Sequence, residues 1–289
     1  MNYEGIIIRP PSEADSIILQ VTVGCSHNKC TFCGTYKGTR FRIKDDEEVN
    51  QDIDFAATYC KRQQRVFLAD GDALIIPQRR LVALFSRIRG KLPWVNRISL
   101  YGNAKAILLK SARELRELKE LGLDRVYMGL ESGADRILKD IGKGADAAKM
   151  IRAGSQVKEA GLFLSLTVLL GIGGTEHSRE HAEETGRVVS AMSANQIAVL
   201  TLMLLPNTPL YLLEKSQKFN IPDQSGMLRE LRLMVENITI TKAQFQANHA
   251  SNYLPINCRL SRDKETVLAA IDQALAGEKR LTPEHLRAL

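Results

Sequence analysis

The stretch FLSLTVLLGIGGTEHSREHAEETGRVVSAM (residues 163–192) contains one complete strand, turn and helix. Its first part, FLSLTVLL, is a nearly continuous apolar run, which is typical of a strand covered on both faces. The glycine-rich turn GIGG follows, and Ser178 is a residue type that commonly begins a helix. The stretch therefore predicts one βα unit of a parallel sheet.

The same pattern recurs along the chain, about six times in all, which predicts an α/β fold with a parallel sheet. Six such units can close partly into a barrel or form an open, doubly wound sheet, and periodicity does not separate the two. In both folds ligands bind at the carboxyl ends of the strands. The strand candidates are residues 16–23, Arg65–Ala69, Arg97–Tyr101, 125–130, Phe163–Leu170 and 196–204.

Helix start and stop signals separate these strands. Ser111 and Glu114 have the spacing of a capping box, and Gly122 follows as a stop signal. Asp146 can cap a helix that ends at Gly161. After residue 205 prolines punctuate helical segments, with helices expected over Gln224–Asn237 and residues 264–277. We therefore expect a barrel domain over residues 1–219 and a helical C-terminal extension over residues 220–289, packed on the barrel.

The chain has 289 residues and a formal net charge of +7, which would suit nucleic acid, an anionic membrane surface or an acidic substrate. Its lysines and arginines are interspersed with carboxylates, as in RELRELKELG, which favours a solvated basic surface over a nucleic-acid footprint. No apolar run approaches the length of a membrane span. The N-terminal residues do not resemble a secretory signal, so a cytoplasmic protein is expected.

Three of the five cysteines lie in VTVGCSHNKCTFC (residues 21–33), at the end of the first predicted strand: Cys25, Cys30 and Cys33. Three thiolates can bind three irons of a cubane cluster and leave the fourth iron open, whereas an electron-transfer cluster usually has four cysteines. The alternative is structural zinc, with His27 as a fourth ligand. Cys60 and Cys258 stand alone and are expected to be buried, small apolar residues.

The cysteine segment, together with FLADGDAL, VYMGLESG, LTVLLGIGG and LLPNTPLY in that order, resembles the radical S-adenosylmethionine (SAM) superfamily. The branch it resembles contains oxygen-independent coproporphyrinogen oxidases, elongator-type enzymes and methylthiotransferases. Phe32 precedes Cys33, as an aromatic residue does in the family. Four residues separate Cys25 from Cys30, where relatives usually have three. The resemblance covers residues 16–219 and implies a partial (β/α)6 TIM-type barrel that binds a 4Fe-4S cluster and SAM.

The resemblance also assigns candidate residues. Cys25, Cys30 and Cys33 would bind the cluster. Asp72, preceded by Asp70 and Gly71, would bind the SAM amino group. Further candidates follow the later strands: Glu131 and Ser132 for the ribose and amino-acid part, Lys143 for the carboxylate, and Gly171 and Ile172 beside the adenine. Phe32 lies in the cysteine loop. Asn103 is a cofactor candidate by its position after the third predicted strand, with loop packing as the alternative.

Other polar residues carry weaker signals. His177 and His181 lie four apart on a predicted helix, as two metal ligands do, but no third ligand is evident and we interpret them as solvated. Residues that could line a substrate site are Tyr36, Arg40, Tyr101, Tyr253 and Arg259.

We therefore predict a radical SAM enzyme that cleaves SAM reductively to a 5′-deoxyadenosyl radical, which removes hydrogen from a small or lipid-like substrate. No catalytic residue beyond the cluster is assigned, and a flavodoxin or ferredoxin is the expected reductant. An RNA-modifying enzyme of the same superfamily is the first alternative, and a noncatalytic iron–sulfur or zinc protein is the second. Nothing in the sequence indicates a second cluster or a cobalamin domain, which disfavours the enzymes that need them.

Overall fold

The computed structural model describes residues 1–240 and 242–288 of the chain. The described residues form two compact units. The first unit comprises residues 1–28, 35–128 and 155–164, and the second comprises residues 29–34, 129–154, 165–240 and 242–288.

The first unit contains a parallel sheet and one small antiparallel pair. Its strands are β1 (Ile17–Gln20), β2 (Thr22–Val23), β3 (Arg42–Ile43), β4 (Arg65–Ala69), β5 (Arg97–Tyr101) and β6 (Leu123–Glu131), whose last residues belong to the second unit. Strands β1, β4, β5 and β6 pair in that order and are all parallel, while β2 pairs antiparallel with β3. The register aligns Leu19, Leu68, Leu100 and Val126 in one row across the sheet, and all four are fully buried. This apolar row is what the sequence pattern of strands covered on both faces predicts.

The helices of the first unit are α1 (Asp46–Tyr59), α2 (Gln78–Lys91), α3 (Ala104–Leu108) and α4 (Ala112–Glu120). The predicted capping box at α4 is confirmed, because the Ser111 and Glu114 side chains each bond the backbone N–H of the other residue. Gly122 then ends the segment with a φ of 110°, a backbone conformation that glycine adopts without strain.

The second unit contains the remaining strands and helices. Its strands are β7 (Phe163–Leu170), which begins in the first unit, β8 (Gln196–Thr201), β9 (Ala243–Gln246) and β10 (Asn257–Leu260). Its helices are α5 (Asp135–Asp140), α6 (Ala147–Glu159), α7 (Ser178–Met192), α8 (Pro209–Lys215), α9 (Gln224–Asn237) and α10 (Lys264–Leu275). Strands β7, β8 and β9 are parallel, and β10 pairs antiparallel with β9. The fold class is therefore α/β, with a mostly parallel sheet and flanking helices, as predicted.

The C-terminal residues contain two strands where only helices were expected. Strand β9 is short and polar at alternate positions, with Ala243 and Phe245 buried and Gln244 and Gln246 half-buried. Such a segment carries little of the apolar signal that marks the other strands. The boundary predicted after residue 219 lies within the second unit and stays a prediction.

Two further observations bear on the sequence expectations. Cys60 and Cys258 are only partly buried, so the expectation of two buried apolar cysteines is wrong. Both lie at element ends or in a short strand, where one side of the residue meets solvent. Among residues 1–240 and 242–288, no helix is long and apolar enough to cross a membrane.

Candidate functional site

Cys25 lies in the first unit, directly against the backbone of Gly71. A Cβ atom placed on Gly71 would lie 3.1 Å from Cys25 Cβ and 2.9 Å from Tyr36 Cε2. Side chains in folded proteins rarely approach this closely, so only glycine fits without a shift of its neighbours. The glycine of the ADGD segment therefore allows the strand end after β4 to contact the first cysteine.

Asp70 is buried and already hydrogen-bonded within the protein. It accepts from Tyr36 Oη at 2.9 Å and from Gln20 Nε2 at 2.9 Å. Burial raises the pKa of the Asp70 carboxyl, while these two hydrogen bonds lower it. Burial also raises the pKa of Tyr36, and the adjacent Asp70 raises it further. Asp70 therefore holds the Tyr36 ring, through this hydrogen bond, in its position against Gly71.

Asp72 is fully buried and joins the cysteine loop to the end of β5. Its carboxylate accepts from Asn103 Nδ2 at 2.7 Å, from the Asn103 backbone N–H at 3.3 Å and from the Ser26 hydroxyl. Burial raises the pKa of Asp72 to about 6, and the bonds from Ser26 and Asn103 oppose that rise. Asn103 also caps α3 by accepting from the Ala106 N–H at 2.9 Å. Two predicted cofactor residues, Asp72 and Asn103, thus contact each other and the residue after Cys25.

The segment 29–34, which carries Cys30 and Cys33, is held on both sides by backbone hydrogen bonds of the second unit. The Thr31 N–H donates to the Ile141 carbonyl at 2.9 Å, and the Leu210 N–H donates to the Thr31 carbonyl at 3.0 Å. Asn207 Nδ2 donates to the Gly34 carbonyl at 2.9 Å. The segment is therefore fixed by Ile141, which follows α5, and by the predicted motif LLPNTPLY.

The donor set of the loop fits a cubane cluster. Cys25, Cys30 and Cys33 are all partly buried, so each residue keeps some exposed surface. No three His, Cys, Asp or Glu side chains among the described residues are grouped as ligands of a single metal ion. In a cubane each thiolate binds a different iron, so the three sulfurs need not converge on one point.

Glu131 and Lys143 form an ion pair in the second unit, with Nζ 2.9 Å from Oε1 and side chains only 11% and 12% exposed. Glu131 has a φ of 64°, an unusual conformation for a residue with a side chain. Gly129 makes room for the pair, because a Cβ there would lie 2.9 Å from Lys143 Nζ and closer still to the Glu131 carboxylate. The two residues predicted to contact different parts of SAM are thus neighbours.

Ser132 is fully buried and bonds to helix α7. Its Oγ lies 2.9 Å from His181 Nδ1, and Thr185 Oγ1 lies 3.2 Å from the same nitrogen. The prediction that His181 is a solvated helix residue is wrong: its side chain is completely buried, whereas His177 is partly exposed. The signal was available in the sequence, because His181, Thr185 and Val188 have the spacing of one helix face.

Gly171 and Ile172, at the end of β7, belong to a tight turn. Gly171 has a φ of 80°, and a Cβ there would collide with the Met227 side chain of α9. Its N–H donates to Glu230 Oε1 at 2.6 Å, and the Ser178 hydroxyl donates to the other carboxylate oxygen. Ile172 is buried beside it. Glu230 was missed by the sequence reasoning, since its contacts lie far away in the chain and no motif marks it.

The remaining candidates are described within their own units. Tyr101 packs edge-on against Phe67 at 5.1 Å between ring centroids, within an aromatic cluster that also contains Tyr127. Tyr253 bonds Glu284 at 2.6 Å and holds the C-terminal residues. Phe32 is partly exposed, and Arg40 and Arg259 are exposed.

The model of the radical SAM superfamily matches residues 19–187, more than half of the chain, and the chain belongs to that superfamily. An uncharacterized protein of Methanocaldococcus jannaschii is 23% identical over 77% of this chain and 57% of its own length. A Pyrococcus horikoshii protein described as an uncharacterized methyltransferase is 24% identical over 67% of this chain and 41% of its own length. The chain therefore spans about half the length of these relatives.

Solved structures show the same fold. The Escherichia coli coproporphyrinogen III oxidase HemN, a radical SAM enzyme, has a TM-score of 0.57 at 13% identity, covering 76% of this chain and 51% of HemN. Methylornithine synthase has a TM-score of 0.54 at 17% identity, covering 76% of this chain and 62% of the synthase. The Elp3 protein of Methanocaldococcus infernus has a TM-score of 0.52 at 14% identity, covering 80% and 59%. The resemblance to the branch that includes coproporphyrinogen oxidases and elongator-type enzymes is confirmed at the level of the fold.

Proposed function

We propose that this chain is a radical SAM enzyme whose cluster is held by Cys25, Cys30 and Cys33 and whose substrate is a small molecule. A cluster bound by these thiolates would supply the single electron for reductive cleavage of SAM, and this cleavage would be the source of the radical that removes hydrogen from the substrate. The protein's share of the reaction is to bind, orient and shield the reactants.

The observation that carries the proposal is the way the cysteine loop is supported. Gly71 allows the strand end after β4 to contact Cys25, and Thr31 is hydrogen-bonded on both its N–H and its carbonyl side. Loops without such support lose more conformational freedom when they bind a ligand. Cys25 and the segment 29–34 are thus each held within their own unit, which lowers the entropic cost of binding a cluster.

The proposed SAM contacts rest on the resemblance of the strand-end motifs to those of the superfamily. We assign Glu131 and Ser132 to the ribose and amino-acid part, Lys143 to the carboxylate, and the backbone of Gly171 and Ile172 to the adenine. A lysine would serve the carboxylate as a point charge.

The SAM amino group needs acceptors at the end of β4. Because the Asp72 carboxylate is already bonded to Ser26 and Asn103, we propose that the backbone carbonyl of Asp70 or Gly71 accepts from the ammonium. Asp72 and Asn103 then hold this strand end and the cysteine loop in place.

An external reductant of the flavodoxin or ferredoxin class would supply the electron, and a cytoplasmic, reducing location would suit the thiols. One Pyrococcus relative is described as a methyltransferase. Methyl transfer is therefore one reaction to test when candidate substrates are assayed.

The test is anaerobic reconstitution with iron and sulfide, followed by incubation with dithionite and SAM. We expect about four irons per chain and the release of 5′-deoxyadenosine. Cys30→Ala should lose the cluster and the product. Cys60→Ala and Cys258→Ala are matched controls, because both remove partly buried thiols outside the loop. One zinc per chain, or no 5′-deoxyadenosine from fully loaded protein, would overturn the proposal.

A further inference from the structure

A buried polar network joins the two segments that we assign to SAM in the second unit, residues 131–133 and residues 171–172. Its members are Ser132, Gly171, Ser178, His181, Thr185 and Glu230. The central pair, His181 and Glu230, has no exposed side-chain surface. Isolated buried polar groups are costly, so a network of this size deep in a protein needs a structural or functional reason.

Helix α7 holds the first segment. His181 Nδ1 bonds Ser132 Oγ at 2.9 Å, and Thr185 Oγ1 accepts from the Gly133 N–H at 2.8 Å. Consecutive residues of the segment are thus bound by two side chains one helical turn apart. The side chain of Ser132 is fully buried.

Helix α9 holds the second segment. Glu230 accepts from the Gly171 N–H at 2.6 Å and from the Ser178 hydroxyl at the start of α7. Glu230 lies beyond the residues matched by the superfamily model, which end at 187, so this support comes from a part of the chain outside the shared segment.

The two halves of the network meet at His181 and Glu230. Glu230 Oε1 lies 3.6 Å from His181 Nε2, which makes no hydrogen bond of normal geometry among the described residues. Burial lowers the pKa of His181 to about 3, although the Leu169 carbonyl raises it, and burial raises the pKa of Glu230 to about 7. The imidazole is therefore neutral at neutral pH, and its Nδ1 can accept the proton of the Ser132 hydroxyl if Nε2 carries the hydrogen.

We propose that Glu230 and His181 are positioning residues for SAM, which hold the Gly171 turn and the Ser132 side chain in register with each other. This inference rests on the proposed function. Loss of the Glu230 carboxylate would leave the Gly171 N–H buried without its acceptor and would free the turn to reorient. Loss of the imidazole would release Ser132 from α7.

The test compares SAM binding and iron content in reconstituted variants. Glu230→Gln keeps one acceptor oxygen for two donors, while Glu230→Met keeps none. His181→Asn can still meet Ser132 with its amide, while His181→Leu cannot. Glu236→Gln is the matched control, because Glu236 lies on the same helix with a side chain 53% exposed.

We expect the electron paramagnetic resonance change on SAM addition to need about tenfold more SAM in Glu230→Met and His181→Leu, the scale of one lost hydrogen bond. The KM for SAM should rise by the same factor with full iron content. Glu230→Gln and His181→Asn should need less SAM than the two larger substitutions but more than wild-type protein. If Glu230→Met or His181→Leu fails to fold, these two conservative variants test the positioning role.

The outcomes separate the two proposals. If wild-type protein shows no SAM-dependent signal and no 5′-deoxyadenosine, the proposed function is overturned and this inference with it. If wild-type protein responds to SAM and all four variants respond equally, only the positioning role is overturned. A parallel loss of iron and SAM response would also overturn it, since that is the result of a merely structural role.

Discussion

Lys143 Nζ lies 2.9 Å from Glu131 Oε1 in a place where both side chains are nearly buried. Removing the cation would leave a carboxylate with little solvent and without this partner, which is more costly than removing both charges. We expect Lys143→Met to lower the free energy of unfolding by about 1–3 kcal/mol and the double variant with Glu131→Gln to recover part of it.

Urea denaturation of the reconstituted protein measures this difference. Lys149→Met is the control, because its pair with Asp146 is 3.8 Å long and about half exposed on both sides. An exposed pair of that kind contributes less than about 1 kcal/mol. Equal effects of the two lysine substitutions would contradict the interpretation of the Glu131–Lys143 pair as a buried ion pair.

Gly71→Ala tests the contact between the strand end and the cysteine loop. The added Cβ would lie 3.1 Å from Cys25 Cβ, so the loop or the strand end must shift. We expect iron retained after desalting to fall at least severalfold. Gly90→Ala in α2 is the control, since a Cβ there meets nothing within 4 Å and alanine favours a helix by about 1 kcal/mol. Full iron loading of Gly71→Ala would show that the close contact is unimportant for the cluster.

The strands could be predicted well because burial on both faces leaves a local signal. Arg65–Ala69, Arg97–Tyr101 and Phe163–Leu170 have the bounds that were predicted from apolar runs alone. Strand β9 was not predicted, because it is a strand through its pairing with β8 and not through its composition. Local pattern is therefore sufficient for the central strands and insufficient for the short strands at the C-terminal end.

The residues of the candidate site also differ in how well the sequence predicts them. The cysteines and the ESG segment stand out because thiol spacing and a short polar motif after a strand are readable in sequence. Glu230 does not stand out, since its partner Gly171 is 59 residues away and nothing local marks a buried carboxylate. The prediction that His181 is solvated rests on the lack of a third metal ligand, whereas the helix face that His181 shares with Thr185 is buried.

The Asn103 side chain contacts Asp72, Ser26 and the first turn of α3. Its removal should weaken the hydrogen bonding of all three. Asn103 donates to Asp72 Oδ2 at 2.7 Å and to Ser26 Oγ at 3.2 Å, and it caps α3. We expect Asn103→Ala to lower the free energy of unfolding by about 2 kcal/mol, from the lost cap and the unsatisfied Asp72 oxygen. We also expect slower cluster incorporation, because Ser26 follows Cys25 directly.

Thermal melting and the time course of iron uptake check both effects. Asn96→Ala is the control, since the Asn96 side chain makes one long, exposed contact to Gln64 at 3.4 Å. If Asn103→Ala destabilises the protein but takes up iron at the wild-type rate, the link between Asn103 and the cysteine loop is wrong.

The buried Glu230 predicts a specific pH dependence of stability. Its pKa is raised by burial from the ordinary 4.5 to about 7, so the folded state binds this proton more tightly than the unfolded state. The resulting stabilisation is complete below the unfolded pKa and is lost as the pH rises through about 7. The shift corresponds to about 3 kcal/mol over that window.

Glu230→Gln lacks this titration. We therefore expect the difference in unfolding free energy between wild-type protein and Glu230→Gln to move by about 3 kcal/mol in favour of the variant between pH 4.5 and pH 8. His181 is present in both proteins, and its lowered pKa acts in the opposite direction, so its contribution cancels in the difference to first order. Urea titrations across this range, with Glu236→Gln as the control, measure the effect. If the unfolding free energies of wild-type protein and Glu230→Gln change with pH in parallel, Glu230 titrates near its ordinary pKa. That result would contradict a pKa raised by burial.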